Sequence, residues 1–245
     1  MELKKAEKKD IKLRIGLSGA SGSGKSYSAL LLAYGITGDW TKIAVIDTEN
    51  GSSNLYAHLG RFNVLKLKEP YSPENFIKAI KDCENASMEV IIIDSITHEW
   101  KGVGGCLDLH RNLGGRFQDW NKITPRHQKF ISSILNSSCH IITTVRRKIE
   151  YVIGKDDKGK LTVCKLGTKE ETRNDFQYEL TLNFEFTGNQ NQVRVTKDRT
   201  GLFSTQEFII SNKTGLMLVE WCMLPNQKPS TEIRTSINSL NSVVS

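Results

Sequence analysis

The run Gly19-Ala20-Ser21-Gly22-Ser23-Gly24-Lys25-Ser26 carries the residue types that hold phosphate: spaced glycines, then a lysine and a hydroxyl. Without side chains the glycines let the backbone wrap closely round an anion, so that successive N–H groups and a helix N-terminus face it. In such a P-loop, Lys25 is expected to bridge the β- and γ-phosphates and the Ser26 hydroxyl to hold Mg²⁺, with Gly19 through Tyr27 forming the nucleotide-binding segment. An ordinary Gly/Ser turn is disfavoured by the flanks. IKLRIGL at 11–17 alternates like a strand, and YSALLLAY at 27–34 is apolar as a helix leading out would be.

Two acids extend this chemistry. Val90-Ile91-Ile92-Ile93-Asp94-Ser95 is a continuous apolar run closed by a carboxylate, the form of a strand buried on both faces. Asp94 is expected at the Mg²⁺ ion or its bound water, because a hard cation prefers carboxylate oxygen; the alternative is an acid capping the next helix. Asp47-Thr48-Glu49 closes a second β-rich run, TKIAVID at 41–47. Ligands of open α/β sheets gather at the carboxyl ends of the strands, where Glu49 can orient and deprotonate a water.

Basic residues supply a further set. Trp100 to Trp120 mixes glycine, arginine and aromatics, and Lys101, Arg111 and Arg116 are candidates for phosphate contact with single-stranded DNA, while Trp100 and Trp120 are expected to pack on the sheet. Arg146-Arg147-Lys148 directly follows the strand-like CHIITTV at 139–145, which puts it at the nucleotide edge or a subunit boundary; Arg147 and Lys148 join the DNA candidates.

The elements that must position these groups read as alternating strands and helices. Gly35 and Gly38 end the first helix, a short helix at 52–59 starts from Ser52 or Ser53, and Ser72-Pro73-Glu74 starts another. Pro125 opens a helix to Asn136, a hairpin covers 149–165, and 179–186 with 192–196 form a meander. The expected fold is α/β, with a mostly parallel central sheet flanked by helices and an antiparallel C-terminal strand extension. Residues 1–10 read as a charged arm, 11–225 as the catalytic domain and 226–245 as a Ser/Asn-rich tail.

Composition bounds the function. A net charge of +7 favours a polyanionic partner without requiring one. No apolar run approaches the roughly 20 residues of a membrane span, and the start is not a signal peptide, so a cytoplasmic protein is expected. The five cysteines and five histidines are dispersed without ligand spacing, so reduced thiols and no metal beyond Mg²⁺ are expected.

Across about residues 11 to 210 the chain resembles RecA-like P-loop ATPases, most closely the small phage- and prophage-type versions linked to single-strand annealing and recombination. Ile46-Asp47-Thr48-Glu49, then Tyr56-Ala57 and Leu59-Gly60, is similar to the segment that supplies the catalytic glutamate and an adenine-stacking tyrosine. The resemblance implies that Glu49 activates water and Tyr56 lies on the base. Val195-Thr196-Lys197-Asp198-Arg199, followed by Phe203, is similar to the segment whose cations reach a neighbour's γ-phosphate, which implies catalysis by Lys197 and Arg199 in trans and a homo-oligomer. Thr143-Thr144 stands where RecA has a γ-phosphate-sensing glutamine, leaving Thr144 and Arg146 as candidate sensors. The expected protein is an ATP- and Mg²⁺-dependent ATPase acting on single-stranded DNA, in a bacterial host cytoplasm if of phage origin. The alternative is a nucleotide-driven regulator or assembly ATPase that binds proteins. A small-molecule kinase is less favoured for want of an arginine-bearing lid, and guanine for want of an NKxD motif, since Asn121-Lys122 continues with Ile123-Thr124.

Overall fold

The computed structural model describes residues 7–8, 11–155, 161–173, 176–188, 191–203 and 206–223. The tail at 226–245, most of the arm at 1–10 and the hairpin turn at 156–160 lie outside these. The first half of the chain alternates as expected: β1 (Arg14–Gly19), α1 (Lys25–Thr37), β2 (Ile43–Asp47), β3 (Asn63–Lys66), α2 (Pro73–Asn85) and β4 (Val90–Asp94). Three helices follow, α3 (Thr97–Lys101), α4 (Cys106–Asn112) and α5 (Trp120–Leu135), before β5 (His140–Lys155) and β6 (Leu161–Glu170). The chain then adds α6 (Phe176–Glu179), β7 (Leu182–Phe186), β8 (Gln192–Asp198), β9 (Phe208–Ile209) and α7 (Asn212–Met223).

The strands order as β3-β2-β4-β5-β1-β7-β8-β9, with β6 paired to β5 alone. From β3 to β7 all neighbours are parallel, and β8 and β9 extend the sheet antiparallel. One strand, β5, therefore separates the P-loop strand from the strand ending in Asp94; β1 and β4 end at the same edge, and β5 runs on past it. Alternation along buried strands sends residues to opposite faces: Val90 and Ile92 join Leu30, Leu32 and Leu218 under α1 and α7, whereas Ile91 and Ile93 join Phe76, Ile80, Phe130 and Ile134 under α2 and α5.

Several boundaries differ from the sequence expectation. Gly35 does not end α1, which runs to Thr37 and is closed by Gly38 in the left-handed region, its N–H donating to the Tyr34 carbonyl at 2.7 Å. Gly35 instead admits α7: a β-carbon there would lie 1.9 Å from the Asn212 carbonyl oxygen, and one on Gly215 2.2 Å from that of Leu32. Residues 52–59 form a 3-10 helix capped by Gly51 rather than by a serine, because Ser53 is drawn to Asp47. Pro125 lies inside α5 instead of opening it; the turn at Phe117–Asp119, where Asp119 accepts from the Arg116 amide at 2.9 Å, starts the helix earlier. Ser72 does cap α2, accepting from the Asn75 amide with Pro73 at the first position. The strand at 139–145 and the first arm of the hairpin are one continuous β5, parallel to β1 and β4 in its first half and antiparallel to β6 in its second.

Candidate functional site

The ends of β1, β2 and β4 and the middle of β5 bring Lys25, Ser26, Glu49, Asp94, Thr144 and Arg146 together. Beyond β1 the chain turns through Gly22 and Gly24 at φ 76° and 93°, and Gly24 serves as the N-cap of α1 with no side chain intruding. A β-carbon on Gly24 would also approach the Asn191 side-chain oxygen to 3.0 Å. The first amides of α1 have no partner within the helix and face the loop. Lys25 is only 8% exposed. Its Nζ donates to the Gly19 and Ala20 carbonyls at 3.1 and 2.6 Å. Burial pulls its pKa below the usual lysine value, against the opposing pull of Asp94 and Glu49.

Asp94 is almost wholly enclosed. Its Oδ2 accepts from Ser26 Oγ at 2.6 Å and its Oδ1 from Thr144 Oγ1. Burial raises its pKa, and the two hydroxyls work in the opposite direction by binding the charged form.

Glu49 stands beside this pair. Its carboxylate accepts from Ser95 Oγ at 3.2 Å and from the Arg146 guanidinium in fork geometry, with Nε at 3.0 Å and the second nitrogen also in contact. Asp47 does not face the phosphate loop. It accepts from the Glu49, Gly51 and Ser53 amides and the Ser53 hydroxyl, and so shapes the loop that presents Glu49. Thr48 ties β2 to β4: its amide donates to the Asp94 carbonyl at 2.8 Å, and its hydroxyl meets His98 Nδ1 at 2.7 Å and accepts from the Ser95 amide. Tyr56 packs on Tyr27, ring centroids 5.7 Å apart, next to the start of α1.

The donor set fits a magnesium nucleotide. The Ser23 hydroxyl is buried without a hydrogen-bond partner, Lys25 is satisfied only by loop carbonyls, and Ser26 and Asp94 form an oxygen pair suited to a hard cation.

Other expected residues lie elsewhere. By strand register, Lys197 opposes Asn183, which opposes Gly16, three positions before the end of β1 and so about 10 Å from it. Lys197 and Arg199 converge on the Tyr178 carbonyl, remote from this chain's own P-loop. Lys101 is paired with Glu171 at 2.6 Å, and Arg147 with Glu170 and Glu185 at 3.3 Å each, so neither is free for a phosphate as the sequence alone implied. Arg111 reaches Asp108 only at 3.8 Å and, like Arg116, is exposed. Trp100 and Trp120 stack on one another, 5.6 Å apart, with His110 stacked beyond Trp120 at 4.1 Å. Beside them runs a groove of about 830 Å³ bordered by Trp100, Phe117, Trp120, Lys148, Lys169 and Arg173, in which Phe117 is 89% exposed.

Asp47, Thr48, Ser95 and His98 are contributors that motif spacing did not single out as site residues; only their position next to the strand ends hinted at them. Behind the site, among the described residues, Glu99, Cys106 and His127 form a buried group whose ligand atoms lie within 4.8 Å of one another. No helix among the described residues is long and apolar enough to cross a membrane. A family model described as an AAA domain matches residues 11–213. No curated protein matches the chain.

Proposed function

This chain belongs to the AAA domain family of P-loop nucleotide-binding ATPases, and on that premise we propose that it hydrolyses ATP in a Mg²⁺-dependent manner and acts on single-stranded DNA in phage-type recombination or annealing. The observation that carries the ATPase half is the meeting of Lys25, Ser26, Asp94 and Glu49 at one sheet edge. Lys25 and the loop amides bind the phosphates, and Ser26 and Asp94 hold the metal, which when bound supplies positive charge against the triphosphate. Glu49 orients a water and takes its proton, and Tyr27 with Tyr56 offers an aromatic surface to the base. Arg146 occupies Glu49 in this state, so release of that fork precedes turnover.

The groove supports the DNA half. An exposed Phe117 gives a base a face to stack on, and Lys148, Lys169 and Arg173 give phosphates their counter-charge, outnumbering Glu170 and Glu171 on the same lining. Lys148 is two residues from Arg146 on β5, so a strand lying in the groove pulls on the residue that restrains Glu49. The distance of Lys197 and Arg199 from their own P-loop supports their use by a neighbouring copy in a homo-oligomer.

The experiment is ATP turnover against protein concentration, with and without single-stranded DNA, at low and raised salt. Turnover per chain is expected to rise with both concentration and DNA, and DNA binding to weaken steeply with salt. A rate per chain indifferent to both, with no DNA retained at low salt, overturns the DNA reading. The carboxylates that neutralise Lys101 and Arg147 favour a second reading, in which the same ATPase switches assembly of protein partners. Capture of a protein that survives nuclease treatment supports that one.

A further inference from the structure

The geometry points to a second metal site, separate from the nucleotide: Glu99, Cys106 and His127 form a three-ligand centre for a zinc-like divalent cation that fastens α3 and α4 to α5. His127 Nδ1 lies 3.0 and 3.1 Å from the two Glu99 oxygens, and Cys106 Sγ lies 3.1 Å from Glu99 Oε1. Sulfur, nitrogen and oxygen ligands round a tetrahedral zinc stand about 3.3–3.6 Å apart, so Glu99 need part from His127 and Cys106 by only a few tenths of an ångström, while the sulfur and the imidazole nitrogen already lie within 4.8 Å of each other. Thiolate, imidazole and carboxylate together suit a borderline-soft cation rather than magnesium, which takes oxygen.

Charge balance permits the ion: Zn²⁺ with a thiolate, a carboxylate and a neutral imidazole sums to zero, so no net charge is left buried among three residues that are 0%, 0% and 4% exposed. Burial and the Glu99 carboxylate push the Cys106 thiol up, so an entering cation must displace its proton.

An independent observation concerns what holds this segment down. In α3 and α4 the buried side chains are Thr97, Glu99 and Cys106, none of them a large apolar residue, whereas α5 buries Ile123, Phe130 and Ile134. Val103 and Leu113 are exposed. The hold of these two short helices on α5 comes from Trp100 and His110 stacking on Trp120 and from the polar group shared with His127, which touches Trp100 edge-on and where a metal would add a further fastening.

The test uses the full chain, stripped with a chelator, reloaded with zinc alone and desalted. Elemental analysis is expected to give about one zinc per chain, with uptake strengthening as pH rises because the thiol proton leaves. Cys106→Ser keeps a hydroxyl that can donate to Glu99 but removes the thiolate, and competition against a chromophoric chelator is expected to show zinc held at least about tenfold more weakly. Cobalt in place of zinc should give a thiolate charge-transfer band in the wild-type chain that Cys83→Ser and Cys139→Ser retain and Cys106→Ser loses. If Cys106→Ser fails to fold, the wild-type stoichiometry and cobalt band decide alone. Less than about a tenth of a zinc per wild-type chain, or equal retention by wild type and a folded Cys106→Ser, overturns the proposal.

Discussion

Replacing Glu49 by glutamine separates catalysis from binding and from folding. The amide keeps the size of the carboxylate and can still accept from Ser95 Oγ, 3.2 Å away, while losing the charge that meets Arg146 and the basicity that takes a proton from water. Arg146 and Glu49 are 39% and 20% exposed at their side chains, so their ion pair is worth at most about 1 kcal/mol to the fold, and the unfolding midpoint should scarcely move. Loss of a general base lowers turnover by about 10²–10⁴-fold, or about 3–5 kcal/mol of barrier. Phosphate release at saturating ATP measures the rate, and a fluorescent adenine nucleotide measures affinity, which should change by less than about threefold because Lys25, Ser26 and Asp94 are untouched. If Glu49→Gln keeps more than about a tenth of wild-type turnover, or if affinity falls in step with rate, Glu49 is not the base. Arg146→Ala supplies the converse: with Glu49 released, turnover without DNA should rise, and a fall would make Arg146 part of the machinery instead of its restraint.

The remaining expectations test the surroundings. Thr144→Val removes a donor from the buried Asp94 carboxylate, so the Asp94 pKa rises further and the acid limb of the pH–rate profile should move to higher pH; an unmoved limb refutes the coupling. His140 accepts from the Leu13 amide through Nδ1 at 3.1 Å, and burial, with Lys12 and Arg14 nearby, lowers its pKa to about 4. Because the folded value lies below the unfolded one, its contribution is fully present above about pH 6.5 and is lost as pH falls toward 4, reaching about 2 kcal/mol at pH 5. Urea melts at pH 7 and pH 5 should show His140→Asn losing less stability than wild type over that interval, and equal losses would contradict the assignment. Gly35→Ala puts a methyl against the backbone of α7, and despite alanine's better helix propensity it should destabilise by about 1–3 kcal/mol; a neutral or stabilising result would mean α1 and α7 can part without cost.

The P-loop, the alternation of strands and helices in the first half of the chain and the acid closing β4 were legible because each is a local pattern: spaced glycines before a lysine and a hydroxyl, an apolar run without polar interruption, a charge at its end. What escaped was set by packing between distant segments. Gly35 reads as a helix stop, and only the arrival of α7, some 180 residues later, makes it a contact point. Pro125 reads as a helix start, yet the turn held by Asp119 had already begun the helix. Lys101 and Arg147 read as free cations because their carboxylate partners Glu171, Glu170 and Glu185 lie far along the chain. For the same reason Glu99, Cys106 and His127 showed no ligand spacing: three helices, rather than one motif, bring them together.

The central claim is that magnesium and an adenine nucleotide bind where Lys25, Ser26 and Asp94 meet. Calorimetric titration of a non-hydrolysable ATP analogue into the nucleotide-free chain, with magnesium and then with chelator, tests it directly. About one site per chain is expected, weakened when magnesium is removed and lost in Lys25→Ala. No heat and no retained nucleotide in the wild-type chain, or undiminished binding by a folded Lys25→Ala, would contradict it.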